Sequence, residues 1–311
     1  MNTTQQPSPA RARIELRASA LAAIRSFFAD RGSLEVDTPL LLRAPAPERH
    51  IVALPVPGGR WLAASPELQM KRLLAAGSGP IFQITRSFRG GELGRHHHPE
   101  FTILEWYRPD VTYRELMDET EAFVRFMAER VPRPADVAGG PARRPPLDLS
   151  QPFERLRVAD AFERFAGWRP DGDVDDDRFC LALVDRVELA LPPDRGVLLH
   201  DYPASQASLA RLCPSDPAYA ERFELYLGRL EIANGFTELA DADEQRRRFE
   251  KERRAIAAQG REPYPLDERF LGALQDLGPC AGVALGVDRL LMALAGADDI
   301  GDVTSFRWDE V

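Results

Sequence analysis

The chain has 311 residues, 44% of them apolar and 29% charged, which is typical of a globular protein with a full hydrophobic core. Its formal net charge of −9 disfavours bare nucleic acid as the main partner, since phosphate contacts need a basic face. We expect no membrane segment, no export signal and no disulfide framework from its three distant cysteines, and therefore a cytoplasmic protein.

The first half of the chain predicts short helices and strands that follow a disordered tail at 1–13. Apolar residues at helical spacing favour the first helix, and the proline-rich stretch 43–59 favours loop. The predicted elements are a helix at 15–31, strands at 34–36 and 61–64, a helix capped by Ser65 with Pro66 in its first turn, strands at 81–88 and 100–107, and a helix at 113–130 with a Thr112–Glu115 capping box.

The sequence of the second half predicts an exposed connecting segment, followed by the remaining strands. Residues 132–152 are crowded with proline, glycine and arginine, short helices are expected over 156–190, and the acidic run 171–177 favours a solvated loop over a calcium site. The later elements are strands at 197–200, 223–227 and 230–239, a helix at 243–258, and a strand at 282–286 that turns directly into a helix at 287–295. Strands at hairpin spacing, interrupted by helices, predict an α+β fold: a largely antiparallel β-sheet flanked by helices.

The loop between the strands at 81–88 and 100–107 is a candidate anion site. It holds Arg89 and Arg95 among glycines, which allow close backbone approach, and arginine clamps phosphate by paired hydrogen bonds. The run His96–His98 is weak support for a metal, because consecutive side chains point in different directions. A solvated hairpin loop is the alternative.

Two strands each place a carboxylate on an apolar face. Glu105 and Tyr107 share a face, and a buried Glu105 needs either a cationic ligand or a structural salt bridge. Asn234, Phe236 and Glu238 share another face, which suits an ammonium group. Glu231 is out of phase with them unless the strand bulges, for which Gly235 is permissive.

The segment Gly282–Leu290 is a third candidate. A strand that ends at Gly286 and feeds straight into a helix places Arg289 in the first turn, where it could meet a phosphate together with the helix N-terminus. From these residues alone, a helix-capping Asp288 and a surface Arg289 are the simpler interpretation.

Taken together, these stretches resemble the three motifs of class II aminoacyl-tRNA synthetases. The matching stretches are 27–39, ending Glu35-Val36-Asp37-Thr38-Pro39, for motif 1; Phe88-Arg89 with His97, Pro99-Glu100-Phe101 and Glu105-Trp106-Tyr107 for motif 2; and 282–290 for motif 3. Two further stretches resemble the lysyl branch of this family in their residues: Ser65-Pro66-Glu67, and Ala233-Asn234-Gly235-Phe236 followed by Glu238. The resemblance covers about residues 20–295.

The position of motif 1 near the start of the sequence distinguishes between two groups of the lysyl branch. Lysyl-tRNA synthetases carry an anticodon-binding domain before motif 1, and here the motif 1 helix is expected near residue 15. The stretches 200–208 and 289–292 are similar to the elongation factor P–(R)-β-lysine ligases, which lack that domain. This implies a class II synthetase-like catalytic domain at 14–311, with a helical insertion at 132–195 between motif 2 and the later strands.

The resemblance also implies a reaction. ATP, with Mg²⁺, activates (R)-β-lysine as an adenylate, and the β-lysyl group passes to the ε-amino group of a lysine of elongation factor P, without aminoacylation of tRNA. Pro39 of motif 1 packs at the subunit interface in class II enzymes, which implies a homodimer.

Residue roles follow from the matched positions. Arg89 and Arg289 are the implied catalytic residues, Arg89 on the α-phosphate and the amino-acid carboxylate and Arg289 on the γ-phosphate. The implied ATP-binding residues are Arg89, Gly91, Glu92, His97, His98, Glu231, Ile232, Gly286 and Arg289. The implied β-lysine-binding residues are Ser65, Pro66, Glu67, Glu105, Tyr107, Asn234, Phe236, Glu238 and Ala284. Glu224 and Glu231 are the implied Mg²⁺ ligands.

The sequence departs from the family in the motif 2 turn, where Gly90 and Gly91 replace Asn-Glu and His98 replaces Asn. Ala284 stands where lysyl-tRNA synthetases carry Gly, and we interpret its methyl group as part of a preference for the β-isomer. Two alternatives stay open: a catalytically inactive regulator, given the altered turn, and a synthetase that charges a tRNA or a free small molecule.

Overall fold

The computed structural model describes residues 8–131 and 144–311. The strands are β1 (Leu34–Glu35), β2 (Leu41–Leu42), β3 (Pro55–Val56), β4 (Arg60–Leu62), β5 (Ile81–Phe88), β6 (Glu100–Pro109), β7 (Glu154–Arg157), β8 (Gly196–Pro203), β9 (Tyr219–Leu227), β10 (Leu230–Thr237) and β11 (Cys280–Gly286). The α-helices are α1 (Pro9–Ala29), α2 (Glu67–Ala75), α3 (Tyr113–Arg130), α4 (Val158–Ala166), α5 (Asp176–Ala182), α6 (Ala242–Ala258), α7 (Glu268–Ala273) and α8 (Val287–Ala295).

An eight-stranded mixed sheet in the order β1-β5-β6-β11-β10-β9-β8-β7 forms the centre of the fold. Its six inner strands pair antiparallel, and only the outermost strands, β1 and β7, pair parallel to their neighbours. Strands β2, β4 and β3 form a separate small sheet. The predicted α+β class with a largely antiparallel sheet is confirmed.

The two faces of the sheet differ in what covers them. Helices α1, α3 and α8 pack on one face around an aromatic cluster that includes Phe27, Phe28, Trp106 and Phe123. Helices α2, α6 and α7 enclose a smaller apolar cluster on the other face. Since side chains alternate along a strand, β6 and β10 turn Glu105 and Asn234 toward this second face, and β11 turns the small residue Ala284 toward it between them.

Helix α1 begins earlier than predicted. It starts at Pro9 with Ser8 as N-cap, whose hydroxyl accepts a hydrogen bond from the Arg11 amide at 3.4 Å. Residues 9–13, predicted as part of a disordered tail, are therefore helical, and 1–7 lie outside the described residues. The Ser-Pro pair is a local signal for a helix start that the apolar spacing alone does not reveal.

The segment predicted as a helical insertion, 132–195, is described from residue 144 onward. It holds α4, α5 and a π-helical turn at Leu183–Glu188, but it also supplies β7, which pairs parallel to β8 and extends the main sheet. Strand β7 lies at the edge of the sheet and has exposed polar residues. It therefore lacks the alternation of apolar and polar residues from which strands are predicted. None of the helices within 8–131 and 144–311 is long and apolar enough to cross a membrane.

Candidate active site

Three neighbouring strands bring the predicted site residues together. Ala284 on β11 pairs with Glu105 of β6 on one side and with Asn234 of β10 on the other. One step along the same face, Gly282 pairs with Tyr107 and Phe236. The order β6-β11-β10 therefore places the small residues of motif 3 between the polar residues of motif 2 and those of the stretch around Asn234.

A buried group of ionisable residues, here called the carboxylate pocket, is centred on Lys71. It comprises Glu67, Lys71, Glu105, Tyr107 and Glu238. The ammonium of Lys71 is 2.5 Å from Glu67 Oε1, pairs also with Glu238, and belongs to a side chain that is 1% exposed. Burial opposes its charge, but the carboxylates of Glu238 and Glu67 outweigh burial and raise the pKa of Lys71 above its usual value.

Sequence analysis missed Lys71. The signal is the spacing of Glu67 and Lys71, four residues apart on α2, which places the two side chains on the same helix face. That spacing is also common on solvated helix surfaces, and the pairing of Lys71 with Glu238, which is distant in sequence, cannot be predicted from it.

Glu105 is held by hydroxyl groups. Ser65 donates to its Oε1 at 2.6 Å and Tyr107 to its Oε2 at 2.9 Å, and no ion pair to it exists within the described chain. The structural salt bridge considered from the sequence is therefore not formed. Burial, with the negative charge of Glu67, raises the pKa of Glu105 to about 8.

The start of α2 differs from its prediction. Pro66, not Ser65, is the N-cap residue, and its position carries no side-chain cap. The Ser65 hydroxyl accepts a hydrogen bond from the Glu67 amide at 3.0 Å while it donates to Glu105. Ser65 thus ties the helix start to the carboxylate pocket, with Pro66 fixing the backbone between them.

Gly282 leaves the room that this pocket needs. A Cβ at this position would overlap the ring of Tyr107 and stand 2.6 Å from Glu238 Oε1. Phe236, 7% exposed, completes the wall, with its ring centroid 5.1 Å from the Lys71 ammonium.

Next to this pocket lies a cavity of about 800 Å³, here called the cleft. Its wall includes the predicted residues Glu92, His97, His98, Arg89, Glu224, Glu231, Ile232, Asn234, Ala284, Gly286 and Arg289. Among the described residues that line the cleft, none belongs to the carboxylate pocket. Ala284 and Asn234 therefore stand at the boundary between the two regions.

Arg89 is poised in the cleft with few partners. Its guanidinium carbon is 5.1 Å from the centroid of the Phe101 ring, its nearest carboxylate is Glu92 at 4.0 Å, and its Nε has no hydrogen-bond partner among the described residues. Gly91 takes a φ of +80° in the exposed turn beside it. The turn at Gly90 and Gly91 leaves this cation available to an anion.

The two neighbouring histidines differ in burial. His98 is buried, with its ring centroid 5.9 Å from that of Trp308. His97 is exposed at the wall of the cleft, and desolvation together with the Arg289 cation lowers its pKa. His97 is therefore neutral at pH 7 and offers one donor and one acceptor nitrogen.

A bulge brings Glu231 to the same cleft. The register of β10 against β9 shifts between Glu231 and Ala233, so Glu231 lies on the face of Asn234 despite its odd spacing. The predicted bulge position, Gly235, is wrong: a Cβ there would stand 2.6 Å from the Phe223 ring, so this glycine serves close packing. Arg289 donates to the Glu231 carbonyl at 2.8 Å and to its carboxylate at 3.3 Å.

Glu224 is held in the cleft by three different side chains. It accepts hydrogen bonds from Tyr202 at 2.6 Å, Tyr226 at 2.7 Å and Arg222 at 2.5 Å. Arg222, which sequence analysis missed, also donates to Asn234 Oδ1 at 3.1 Å and so links the metal-site candidate to the β-lysine candidate. Burial raises the pKa of Glu224. The Arg289 cation, against the effect of burial, lowers the pKa of Glu231.

The donor set at Glu224 and Glu231 fits magnesium. Within the described residues, no group of three or more histidine, cysteine, aspartate or glutamate side chains could hold a metal ion by itself. Mg²⁺ is commonly held by one or two carboxylates together with substrate phosphates, so two acids beside Arg89 and Arg289 are sufficient for it when a nucleotide is bound.

Asp288 anchors motif 3 instead of capping α8. Its carboxylate accepts from Arg17 at 2.5 Å and from the Thr102 amide at 2.7 Å, and no side-chain hydrogen bond caps the helix. Arg17 also donates to the Thr102 hydroxyl at 2.8 Å. This buried network fixes the first turn of α8, and with it Arg289, against β6 and α1.

The chain is similar to known proteins over nearly its whole length. The family model of class II tRNA synthetases (D, K and N) matches residues 4–309. A protein of Klebsiella pneumoniae subsp. pneumoniae named elongation factor P–(R)-β-lysine ligase is 41% identical, and proteins of the same name from Klebsiella pneumoniae strain 342 and Salmonella paratyphi B are 42% and 40% identical. Each alignment covers 98% of this chain and 98% of the relative.

Proposed function

The chain belongs to the family of class II tRNA synthetases (D, K and N), and from this premise we propose that it is a ligase that joins (R)-β-lysine to elongation factor P. ATP and the amino-acid carboxylate form an aminoacyl-adenylate and pyrophosphate. The ε-amine of a lysine of elongation factor P then attacks the acyl carbon and displaces AMP, which leaves an amide bond.

One observation carries the proposal: a buried carboxylate pocket adjoins a cleft whose wall includes the weakly paired Arg89 and Arg289. A diamino acid needs anionic partners for its ammonium groups, and an adenylate needs cations for its phosphate. Ala284 and Asn234, at the boundary of the two regions, mark where the reacting carboxyl group would lie. The names of the similar Klebsiella and Salmonella proteins support the choice of substrate and acceptor.

Charge balance supports a dication as the ligand of the carboxylate pocket. Glu67, Glu105 and Glu238 supply three negative charges when ionised, and Lys71 supplies one positive charge, which leaves two negative charges. The two ammonium groups of β-lysine match that remainder. Burial raises the pKa of both Glu105 and Glu238 to about 8, so binding of the diamine would favour the loss of protons from these two carboxyl groups.

In the cleft, the proposed roles follow the arrangement of the cations. Arg89 binds the α-phosphate and the carboxylate of the amino acid, and Arg289 binds the γ-phosphate. The residues proposed to surround the nucleotide are Gly91, Glu92, His97, His98, Ile232 and Gly286. No covalent enzyme intermediate is needed, because positioning and charge neutralisation lower the barrier to attack at the α-phosphate.

Glu224 and Glu231 are proposed to hold Mg²⁺. When bound, the ion would neutralise charge on the phosphates of ATP. Tyr202, Tyr226 and Arg222 orient Glu224, and Arg289 orients Glu231.

The proposal includes an oligomeric state and a cellular location. We propose a homodimer, as the resemblance of 27–39 to motif 1 implies, and a cytoplasmic location, where the acceptor factor acts and where the free Cys180, Cys213 and Cys280 stay reduced. An acidic chain is poorly suited to hold tRNA, and tRNA is therefore not proposed as an acceptor.

The test is the intact mass of elongation factor P after incubation with this protein, ATP and Mg²⁺, with (R)-β-lysine and α-lysine in separate reactions. The expected result is a gain of one lysyl group, faster with (R)-β-lysine, and no charging of bulk tRNA. Absence of pyrophosphate exchange with either amino acid would instead support the inactive regulator. Exchange together with charged tRNA would support a synthetase.

A further inference from the structure

The transfer step of the proposed function requires a base. A lysine ε-amine has an ordinary pKa near 10.4, so at neutral pH nearly all of it is an ammonium group without a free electron pair. The acceptor must therefore lose a proton inside the cleft before it attacks the adenylate.

Glu48 differs from the other acids on the wall of the cleft. It makes no side-chain hydrogen bond or ion pair within the described residues. Asp176 and Glu252 pair with Arg49, Glu224 with Arg222 and Glu231 with Arg289. The three remaining acids of the wall likewise have an arginine within 4.0 Å. Glu48 is therefore the one described acid of this wall whose carboxylate is not committed to a cation.

The backbone that carries Glu48 is fixed at several points. Arg49 donates to Asp176 at 2.7 Å and forms a forked pair with Glu252. Farther along the same loop, the Val52 carbonyl accepts from the Gly90 amide at 2.7 Å, and the Ala53 amide donates to the Tyr264 hydroxyl at 2.9 Å. The loop is thus bonded directly to the turn that carries Arg89, which holds the reacting end of the substrate in the proposed reaction.

Glu48 lies on the wall of the cleft, together with Arg89 and Arg222. The charges that act on its carboxylate are those of Glu67, Arg89, Glu252 and Arg222, so it is influenced by a residue of the carboxylate pocket as well as by residues of the cleft. Burial, followed by the charge of Glu67, raises the pKa of Glu48 to about 7. A base with a pKa near the working pH is both ionised in part and strong enough to take a proton.

We propose that the Glu48 carboxylate is the general base of the transfer step. It accepts one proton from the ε-ammonium of the acceptor lysine, and the neutral amine forms a bond to the acyl carbon of the adenylate. The bond from that carbon to the phosphate oxygen breaks, and AMP leaves with its electron pair. The second proton of the nitrogen passes to water as the amide forms.

The experiment separates the two half-reactions in the full-length protein. Glu48→Gln is nearly isosteric and removes only the base. We expect pyrophosphate exchange with (R)-β-lysine within about twofold of the unmodified protein, and transfer from the preformed adenylate to elongation factor P slowed by about 10²–10⁴-fold. The transfer rate of the unmodified protein should rise with pH through about 7, and Glu48→Gln should lose this inflection.

A second nucleophile distinguishes proton removal from other effects. Hydroxylamine is largely neutral at pH 7, so its attack on the adenylate needs no base, and Glu48→Gln should form the hydroxamate at nearly the rate of the unmodified protein. Glu48→Asp keeps a carboxylate and should restore part of the transfer rate. Glu244→Gln, an acid of the same wall paired with Arg248, is the matched control and should leave both half-reactions unchanged.

Three results would overturn the inference: unaltered transfer in Glu48→Gln, equal slowing of exchange and transfer, or equal slowing with hydroxylamine and with lysine. If the unmodified protein neither exchanges pyrophosphate nor modifies the factor, the proposed function itself fails and the inference with it.

Discussion

The carboxylate pocket and the cleft share one face of the sheet but are built in opposite ways. In the pocket, Glu105, Tyr107 and Lys71 are at most 3% exposed, and Lys71 already pairs with two carboxylates. In the cleft, the described carboxylate nearest to the Arg89 guanidinium is that of Glu92, at 4.0 Å. The Arg289 guanidinium is 3.3 Å from the carboxylate of Glu231, which is partly exposed.

This difference separates selection from reaction. A buried pocket that contains its own cation has a fixed shape and charge, so a ligand must match both to enter. In the cleft, the weakly paired Arg89 and Arg289 keep their cations free for the phosphates, whose charge changes during the reaction. Substitutions in the pocket should therefore affect stability and substrate choice, and substitutions in the cleft should affect the rate.

The largest expected effect comes from Lys71→Met, which breaks the pocket. The buried Glu238 and the partly buried Glu67 then lose their common cation, and leaving a buried charge without its partner typically costs about 3–5 kcal/mol of unfolding free energy. Urea unfolding at pH 7 measures this cost, and pyrophosphate exchange should show the loss of (R)-β-lysine activation.

Arg289→Met is the matched substitution in the cleft. Because its ion pair with Glu231 is partly exposed, the stability cost should be below about 1 kcal/mol, whereas activity should fall by at least about 10²-fold.

A second variant tests the cause of the loss in the pocket. Combining Lys71→Met with Glu238→Gln should recover part of the stability that Lys71→Met alone loses. If Lys71→Met and Arg289→Met cost the same stability, the distinction between a closed pocket and an open cleft is wrong.

The next effect concerns pH and tests whether Glu105 holds a proton in the pocket. Its folded-state pKa of about 8 lies above the unfolded value of 4.5, so the folded state binds the extra proton between these values. Its contribution to stability is fully present below about pH 4.5 and decreases as pH rises toward 8, by up to roughly 1.4 kcal/mol per pH unit. Urea unfolding from pH 5 to 8 should show this decline, and it should be smaller in Glu105→Gln. Equal slopes for both proteins would mean that Glu105 is ionised throughout.

Local signals explain which parts could be predicted from the sequence. Strand β5 and helices α3 and α8 have the bounds predicted, because periodicity, the Thr112–Glu115 box and the Gly286 boundary lie within a few residues of each element. The sequence also predicted correctly that Asn234 shares a face with Phe236.

Features that depend on distant contacts could not be predicted in the same way. The buried Lys71 of α2 pairs with Glu238, which is distant in sequence and follows β10, and Arg222 is joined to Asn234 and Glu224 across neighbouring strands. Strand β7 forms only because β8 offers it an edge. The roles assigned to the site residues remain predictions for the experiments described here.

A smaller effect is expected from Gly282→Ala, which fills the pocket without changing its charge. The added methyl group would press on Tyr107 and Glu238, and overpacking of this kind typically costs about 1–3 kcal/mol. The KM for (R)-β-lysine should rise, whereas the KM for ATP should stay the same, as steady-state exchange kinetics will measure. Gly272→Ala on α7 has no atom within 4 Å of the added Cβ and should alter neither constant.

The smallest effect, and the most specific, is expected from Ala284→Gly at the boundary of the pocket and the cleft. Ala284 pairs with Glu105 and Asn234, so its methyl group lies where the chain of the substrate would pass from its ammonium groups to its carboxyl group. Moving an amino group by one carbon changes the space needed there, and one methyl group in a tight wall discriminates by about 1 kcal/mol or more. Ala284→Gly should therefore raise kcat/KM for α-lysine in pyrophosphate exchange by roughly five- to tenfold relative to (R)-β-lysine. Ala281→Gly, on the core-facing side of the same strand, should lower stability but leave the isomer ratio unchanged. An unchanged ratio in Ala284→Gly would move the isomer preference away from this boundary and into the arrangement of carboxylates around Lys71.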